Sequence, residues 1–369
     1  MATSPFRISG QRVLIGEHAS PPDLPPGARA LLEHARFFFG TPAWWRATIA
    51  AALPDGAEPC FLSVTLGDRT AAVFPMLRTG GAWQGLTTLY TYRYAPQVAA
   101  VLTEAERLVV FTAFGRWLRG RGVTRLDCLD PADPHDAPLQ AGLRAAGLVP
   151  LPFAHFGIWE EAVAGCDWPA YLARRDGRLR ETIRRRLRDV HAMPDARFDV
   201  LTSAAEIAAA TDAYDRVAAQ SWKQAEPFPA FNRVLFREAA ADGALFMTML
   251  TLGETPVAVQ AWAVWDRRAT VLKLVHDEAL GKLSPGTVLT ALSIRHLLRD
   301  GAIDWLDFGR GDDPYKKSWV RDRRQRGGLL VANPWRPAGL AAVLRHAAGQ
   351  VRRRFVKGPP ALPSAPSPP

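Results

Sequence analysis

The feature that most constrains this fold is an internal echo. Phe61–Arg78 reads "FLSVTLGDRTAAVFPMLR" and Phe246–Val264 reads "FMTMLTLGETPVAVQAWAV". Each is an apolar run, a Leu-Gly-acid punctuation and a second apolar run, the pattern of a β-hairpin. Phe114–Asp130, "FGRWLRGRGVTRLDCLD", and Ile294–Arg310, "IRHLLRDGAIDWLDFGR", each end a helix at glycine and continue into a strand carrying Leu-Asp. The Leu-Gly pairs, at Leu66 and Leu252, lie 186 positions apart; the Leu-Asp pairs, at Leu126 and Leu306, lie 180 apart. Two matches in one order at nearly one offset predict two similar halves in tandem. A chain of 369 residues has room for both.

The second half reads as alternating elements. "WPAYLARRDGRLRETIRRRLRDVHA" is helical with a weak point at Gly177, and "RFDVLT" is a strand. Ser203 with Glu206 makes a capping box that opens the next helix. "NRVLFREAAAD" is a helix stopped by Gly243. Strands follow over 245–252, 256–265 and 270–276, then a helix from Ser284 to Arg299 and a strand over 303–308. A short helix near Tyr315–Trp319 and a last strand near 328–332 complete the order. Mixed strands with helices on both faces predict an α/β domain of three layers, αβα. The expected division is an N-terminal half over 1–160, a C-terminal half over 161–348, and a basic, Pro-rich, disordered tail over 349–369.

Composition excludes several classes. Hydrophobic residues are 48% and charged residues 22%, so a sizeable core is available. Cys60, Cys128 and Cys166 are too few and too scattered for a disulfide framework or a metal site, so no metal is expected. No basic-then-apolar leader and no run of about 18–20 apolar residues is visible, which predicts a cytoplasmic protein, peripheral to a membrane at most. The formal net charge of +10 suits anionic partners, although an Arg-rich, Ala-rich composition alone produces such a balance.

The most informative local motif is "HDEALGKLSPGTVL", His276–Leu289. Ser284 is a good N-cap, Pro285 a good first helical residue, and Gly286 allows close approach to the backbone. The N–H groups of Gly286, Thr287 and Val288 at the positive end of that helix would suit a phosphate, although an ordinary capped helix reads the same way. Downstream, "DFGRGDDPYKKSW" (Asp307–Trp319) puts acids, a tyrosine and two lysines just past a buried strand. Strand ends of α/β sheets open into binding crevices.

Three antiparallel strands, a helix starting at "SPG" and a strand ending at Asp307 resemble the GNAT acyltransferase fold. "SWKQAEPF", the two segments above and "LRETIRRRLRDV" together resemble the CelD/BcsL-like acetyltransferases. This GNAT branch is related to the FemAB aminoacyltransferases and is linked to cellulose and other exopolysaccharide synthesis. The resemblance covers 160–335 well and 30–160 weakly, with the first half degenerate. It implies acetyl-CoA or another acyl-CoA as co-substrate, held at Ser284, Gly286, Thr287, Val288 and Lys316. Direct attack of an amine or hydroxyl acceptor, small or glycan-linked, would follow, with no covalent enzyme intermediate.

Several residues then have two readings each. Asp307 is a base or acceptor clamp, or a cap on the glycine turn. Tyr315 protonates the departing thiolate, or packs on Trp319. His276 is a base, or a satisfied structural histidine. Asp312 holds the acceptor, or forms its own turn. Lys273 and Gln260 are placed to face a cleft; Trp222 and Lys223 line the acceptor pocket by analogy. "TYRYAPQVAAVLTEAERL" occupies the matching place in the first half and reads as a remnant or an acceptor-side wall. The arginines from Arg174 to Arg188 crowd one helical region and either form a solvated helix with acidic neighbours in the fold or suit CoA phosphate, anionic lipid or an acidic glycan, with tRNA if the donor is an aminoacyl-tRNA; a non-catalytic anion-binding scaffold is the alternative to an enzyme.

Overall fold

The computed structural model describes residues 3–220 and 226–355, with fourteen strands in one sheet. They are β1 (Thr3–Ile8), β2 (Gln11–His18), β3 (Glu58–Leu66), β4 (Arg69–Thr79), β5 (Ala82–Gly85), β6 (Gln97–Val98) and β7 (Thr124–Leu129), then β8 (Val149–Ala162), β9 (Ala196–Leu201), β10 (Leu245–Leu252), β11 (Thr255–Trp265), β12 (Arg268–His276), β13 (Trp305–Arg310) and β14 (Asp322–Ala332). Their spatial order is β1-β2-β3-β4-β5-β7-β14-β8-β13-β12-β11-β10-β9, with β6 beside β4. Helices cover both faces, as the α/β reading predicts.

The echo is structural. The β3–β4 and β10–β11 hairpins turn at Gly67 and Gly253, with φ of 58° and 57°. The helix Glu104–Leu118 leads into β7, and the helix Pro285–Leu297 leads into β13. β7 pairs in parallel with β5, and β13 in parallel with β12.

The ends of the halves are exchanged. Residue 160 falls inside β8, which pairs with β13 of the second half. β14 fills the place beside β7 and also pairs along β8. β14 begins at Asp322, earlier than the 328–332 stretch that its apolar residues suggest, because Arg323, Arg324 and Arg326 find acids there. The C-terminal region also differs from expectation. A helix spans Pro337–Phe355, so 349–355 are helical, in keeping with their Arg and Gln content; 356–369 lie outside the described residues.

The two halves share a core. The helix Pro42–Ala51 of the first half packs on the helix Phe231–Ala241 of the second. Trp44 meets Phe231 edge-on at 5.9 Å, and Tyr90 stacks on the same ring at 4.2 Å. Burying a Phe side chain of this kind contributes about 1.5–3 kcal/mol. On the opposite face, the helix Pro285–Leu297 packs Val288, Leu289, Ala291 and Ile294 onto the second half's strands.

Two consecutive carboxylates mark the seam. Glu160 and Glu161 of β8 are 3% and 1% exposed, and successive strand residues point to opposite faces. Glu160 meets Arg324 at 2.7 Å, Arg268 at 2.9 Å and Arg93 at 3.3 Å. Glu161 meets Arg175 at 2.5 Å, Arg321 at 3.2 Å and Arg174 at 3.5 Å. Arg175 therefore belongs to the interior and not to an exposed basic face. Asp130 holds Arg93 at 3.1 Å and also the fully buried Arg326. Burial, with Arg326 and Arg268 nearby, pushes the Arg93 guanidinium down to about 10.

Removing one member of a buried ion cluster leaves its partners uncompensated. Glu160→Ala is expected to lower the unfolding free energy by about 3–5 kcal/mol, measured by urea denaturation. A loss below 1 kcal/mol, the ceiling typical of exposed pairs, would contradict this role for Glu160.

Candidate active site

β12 and β13 pair only from Arg268–Thr270 against Trp305–Asp307, and then diverge. A register shift between Ala261 and Trp262 leaves an extra residue, Leu272, on β12, and such a bulge bends its strand. β13 turns at Gly309, where φ is +71° and a Cβ would lie 2.5 Å from the Tyr92 ring. Only glycine suits that position. Asp307, 3% exposed, accepts the Gly309 N–H at 2.8 Å and has Arg268 at 4.0 Å. It caps the turn and faces the seam.

The divergence opens a cavity of about 270 Å³. Tyr92 and Leu272 on its wall pack with the core shared by the two halves. Val271, Phe308 and Tyr315 on its wall pack with the core beneath the helix Pro285–Leu297. The cavity is thus a slot through the sheet.

The side beneath the helix carries a chain of polar groups. Tyr315 OH is 2.7 Å from Thr290 Oγ1, which donates to Gln260 Oε1 at 3.4 Å. Burial raises the Tyr315 phenol, so it stays protonated at neutral pH. Gln260 is fully buried, and its Nε2 has no hydrogen-bond partner among the described residues. An unmet buried donor on a cavity wall costs about 1–3 kcal/mol unless something in the cavity accepts from it.

The other side carries an acid. Glu226 accepts from Tyr90 OH at 2.8 Å, from Asn232 Nδ2 at 3.4 Å and from Lys273 Nζ. Burial pushes this carboxyl up, but the bonds from Lys273, Tyr90 and Asn232 outweigh it and hold it below its ordinary range. The Tyr92 phenol is pushed up to about 12 by burial and by Asp307 and Glu226. Lys316 lines the slot, donates to the Arg310 carbonyl and is lowered by burial.

The slot therefore gathers Gln260, Lys273, Tyr315 and Lys316 of the residues singled out from the sequence. The other described ones are not on its wall. Asp312 is held by Arg323 at 2.6 and 2.8 Å and by Trp159 Nε1 at 3.2 Å, an ion pair of the fold. Trp222 and Lys223 are outside the described residues.

His276, Ser284, Gly286, Thr287 and Val288 sit at the start of the helix Pro285–Leu297, away from the slot wall. Ser284 is left-handed, with φ of 51°, makes no side-chain cap and donates to the Gly281 carbonyl. Its own carbonyl already accepts from Thr287 at 2.9 Å and Val288 at 3.1 Å, so of the three proposed anion donors only Gly286 is outside that bond. A Cβ on Gly286 would come 2.9 Å from His276 Nδ1, so His276 explains this glycine without a ligand.

Glu226, Tyr90, Tyr92, Tyr214 and Thr290 escaped the sequence reading. "TYRY" was the available signal, because its segment does wall the slot through Tyr92.

Residues 177–317 match the family described as "Acetyltransferase (GNAT) domain". The solved structure of FemX superposes with a TM-score of 0.59 at 9% identity, covering 86% of this chain and 98% of that one. The fold is a GNAT acyltransferase fold. The C-terminal DUF2156 domain assigned to lysylphosphatidylglycerol synthetase of Agrobacterium fabrum superposes with a TM-score of 0.50 at 15% identity, covering 75% of this chain and 85% of that one. At these identities the GNAT likeness is one of fold. No curated protein matches the chain.

Because the folded Glu226 carboxyl is depressed, the stability it adds is complete above its unfolded value and is lost as pH falls through the lower folded value. Glu226→Gln should flatten the decline of melting temperature across that acid window. Parallel declines in wild type and variant would refute the Glu226 assignment.

Proposed function

We propose that the protein is an acyl-CoA-dependent acyltransferase that passes the acyl group directly to an amine or hydroxyl acceptor. The supporting observation is the slot through the sheet, with Tyr315 and Gln260 toward one face and Glu226 and Lys273 toward the other. The donor enters beneath the helix Pro285–Leu297 and the acceptor enters from the side built by both halves. Gln260 Nε2 donates to the thioester carbonyl, the role that fits its unmet buried N–H group. Glu226 takes the acceptor's proton as the new bond to the acyl carbon forms. Tyr315 gives its proton to the sulfur as the carbon–sulfur bond breaks. Gly286, the helix-start glycine whose N–H is outside the Ser284 bond, contacts a donor phosphate. The acceptor is a small or glycan-linked amine or hydroxyl, in the exopolysaccharide or cell-envelope setting that the sequence resemblance implies.

One observation favours a second donor class. With Thr287 and Val288 engaged by Ser284, the phosphate cradle at the helix start is sparse. An aminoacyl-tRNA, as in FemAB-type transferases, brings its acyl group on an ester and needs no such cradle.

Calorimetry with acetyl-CoA and longer acyl-CoAs distinguishes the two. Binding is expected in wild type and in Tyr315→Phe, with turnover in an acceptor screen falling about 10²–10⁴-fold in the variant, the range of general acid catalysis. Absence of binding to every acyl-CoA, together with salt-sensitive tRNA binding, would move the protein to the second class.

A further inference from the structure

The C-terminal end is the most one-sided part of the chain. Asp322 is the last acidic residue, and 327–369 carry six cations: Arg336, Arg345, Arg352, Arg353, Arg354 and Lys357. More than half of the formal net charge of +10 therefore lies there. The arginines just upstream, Arg323, Arg324 and Arg326, are taken by Asp312, Glu160 and Asp130.

The helix Pro337–Phe355 lies along the body on one side only. Gly339 is buried, against the Asn333 carbonyl, and Ala342, Val343, His346 and Gly349 are half-buried. Leu340 and Leu344 are 48% and 61% exposed, and Ala347 and Ala348 continue the same face at helical spacing. Trp335, at the entrance to the helix, is 83% exposed. Arg345 and Arg352 are exposed beside this apolar row. Among the described residues, six large apolar side chains are exposed, and three of them fall between 335 and 344.

An exposed Trp–Leu row flanked by cations, with no acid, matches the interface of an anionic bilayer. Apolar side chains enter the boundary of headgroups and acyl chains while arginines meet lipid phosphates. Trp is enriched at that depth. No described helix is long and apolar enough to cross a membrane, so the contact would be in-plane. A second copy of the chain would fit the apolar row but would bring two acid-free basic ends together. A nucleic acid would use the cations and leave Trp335, Leu340 and Leu344 in water. We propose that the helix Pro337–Phe355, with Trp335, docks the protein onto anionic lipid.

The test is co-sedimentation of the full chain with vesicles of phosphatidylcholine, with or without phosphatidylglycerol. Variants are Leu340→Glu/Leu344→Glu and Trp335→Ala; these side chains are exposed, so unchanged melting temperatures are expected. Wild type should sediment with the phosphatidylglycerol vesicles, and the double variant should lose about tenfold or more in affinity. High salt should weaken wild-type binding. Equal binding by wild type and the double variant would overturn the assignment and point to the exposed Arg178, Arg180, Arg185 and Arg188 instead. Absence of vesicle binding would overturn it too, with a dimer in sedimentation velocity favouring self-association and RNA binding favouring a nucleic acid.

Discussion

Glu160 and Glu161 are the pivot of this molecule. Two adjacent carboxylates buried in mid-sheet are tolerable only because each is surrounded by three arginines. Those arginines come from the first half (Arg93), from the segment leading to the Arg-rich helix (Arg174, Arg175), from β12 (Arg268) and from the approach to and start of β14 (Arg321, Arg324). A single dipeptide thus ties together parts of the chain that are far apart in sequence. Buried pairs of this kind add little net stability over apolar packing, but they penalise any arrangement that leaves one charge alone. Here the penalised arrangement is a slipped or unexchanged strand.

The slot depends on the same seam. Tyr92 walls the cavity, while its neighbour Arg93 holds Glu160 and Asp130. Arg268, at the foot of the divergence, reaches Glu160 and lies 4.0 Å from Asp307, whose carboxylate caps the turn at Gly309. The first half therefore helps to wall the slot and to anchor the seam beside it. It supplies Tyr90 and Tyr92 and the charges that set where β13 turns away.

Much of the architecture was legible because its signals are local. Hairpin glycines, the Ser203–Glu206 capping box and the break before Gly177 each act within a few residues, and each is present. The strand exchange was not legible, because two equivalent strands of similar pattern can occupy either place beside β7. "WEEAV" looks like a polar strand end, and only the arriving arginines reveal it as interior. Asp307 and Asp312 drew attention as acids in a glycine-rich turn, yet a backbone N–H in one case and an arginine in the other satisfy them. Glu226 sits in a loop with no periodicity to mark it. Val288 was an unsuitable anion donor in principle, since the fourth residue of a helix already bonds to its N-cap carbonyl.

The exchanged strands have a consequence for how the chain is made. When the ribosome has released the first half, β7 has β5 on one side but lacks a neighbour on the other, because the strand that covers that side begins at Asp322. β8 is equally unpaired until β13 and β14 emerge. A nascent chain therefore carries an open sheet edge, and two carboxylates short of Arg268, Arg321 and Arg324, until β12 and the approach to β14 emerge. Loss of the last fifty or so residues would leave both halves unfinished, not just the second.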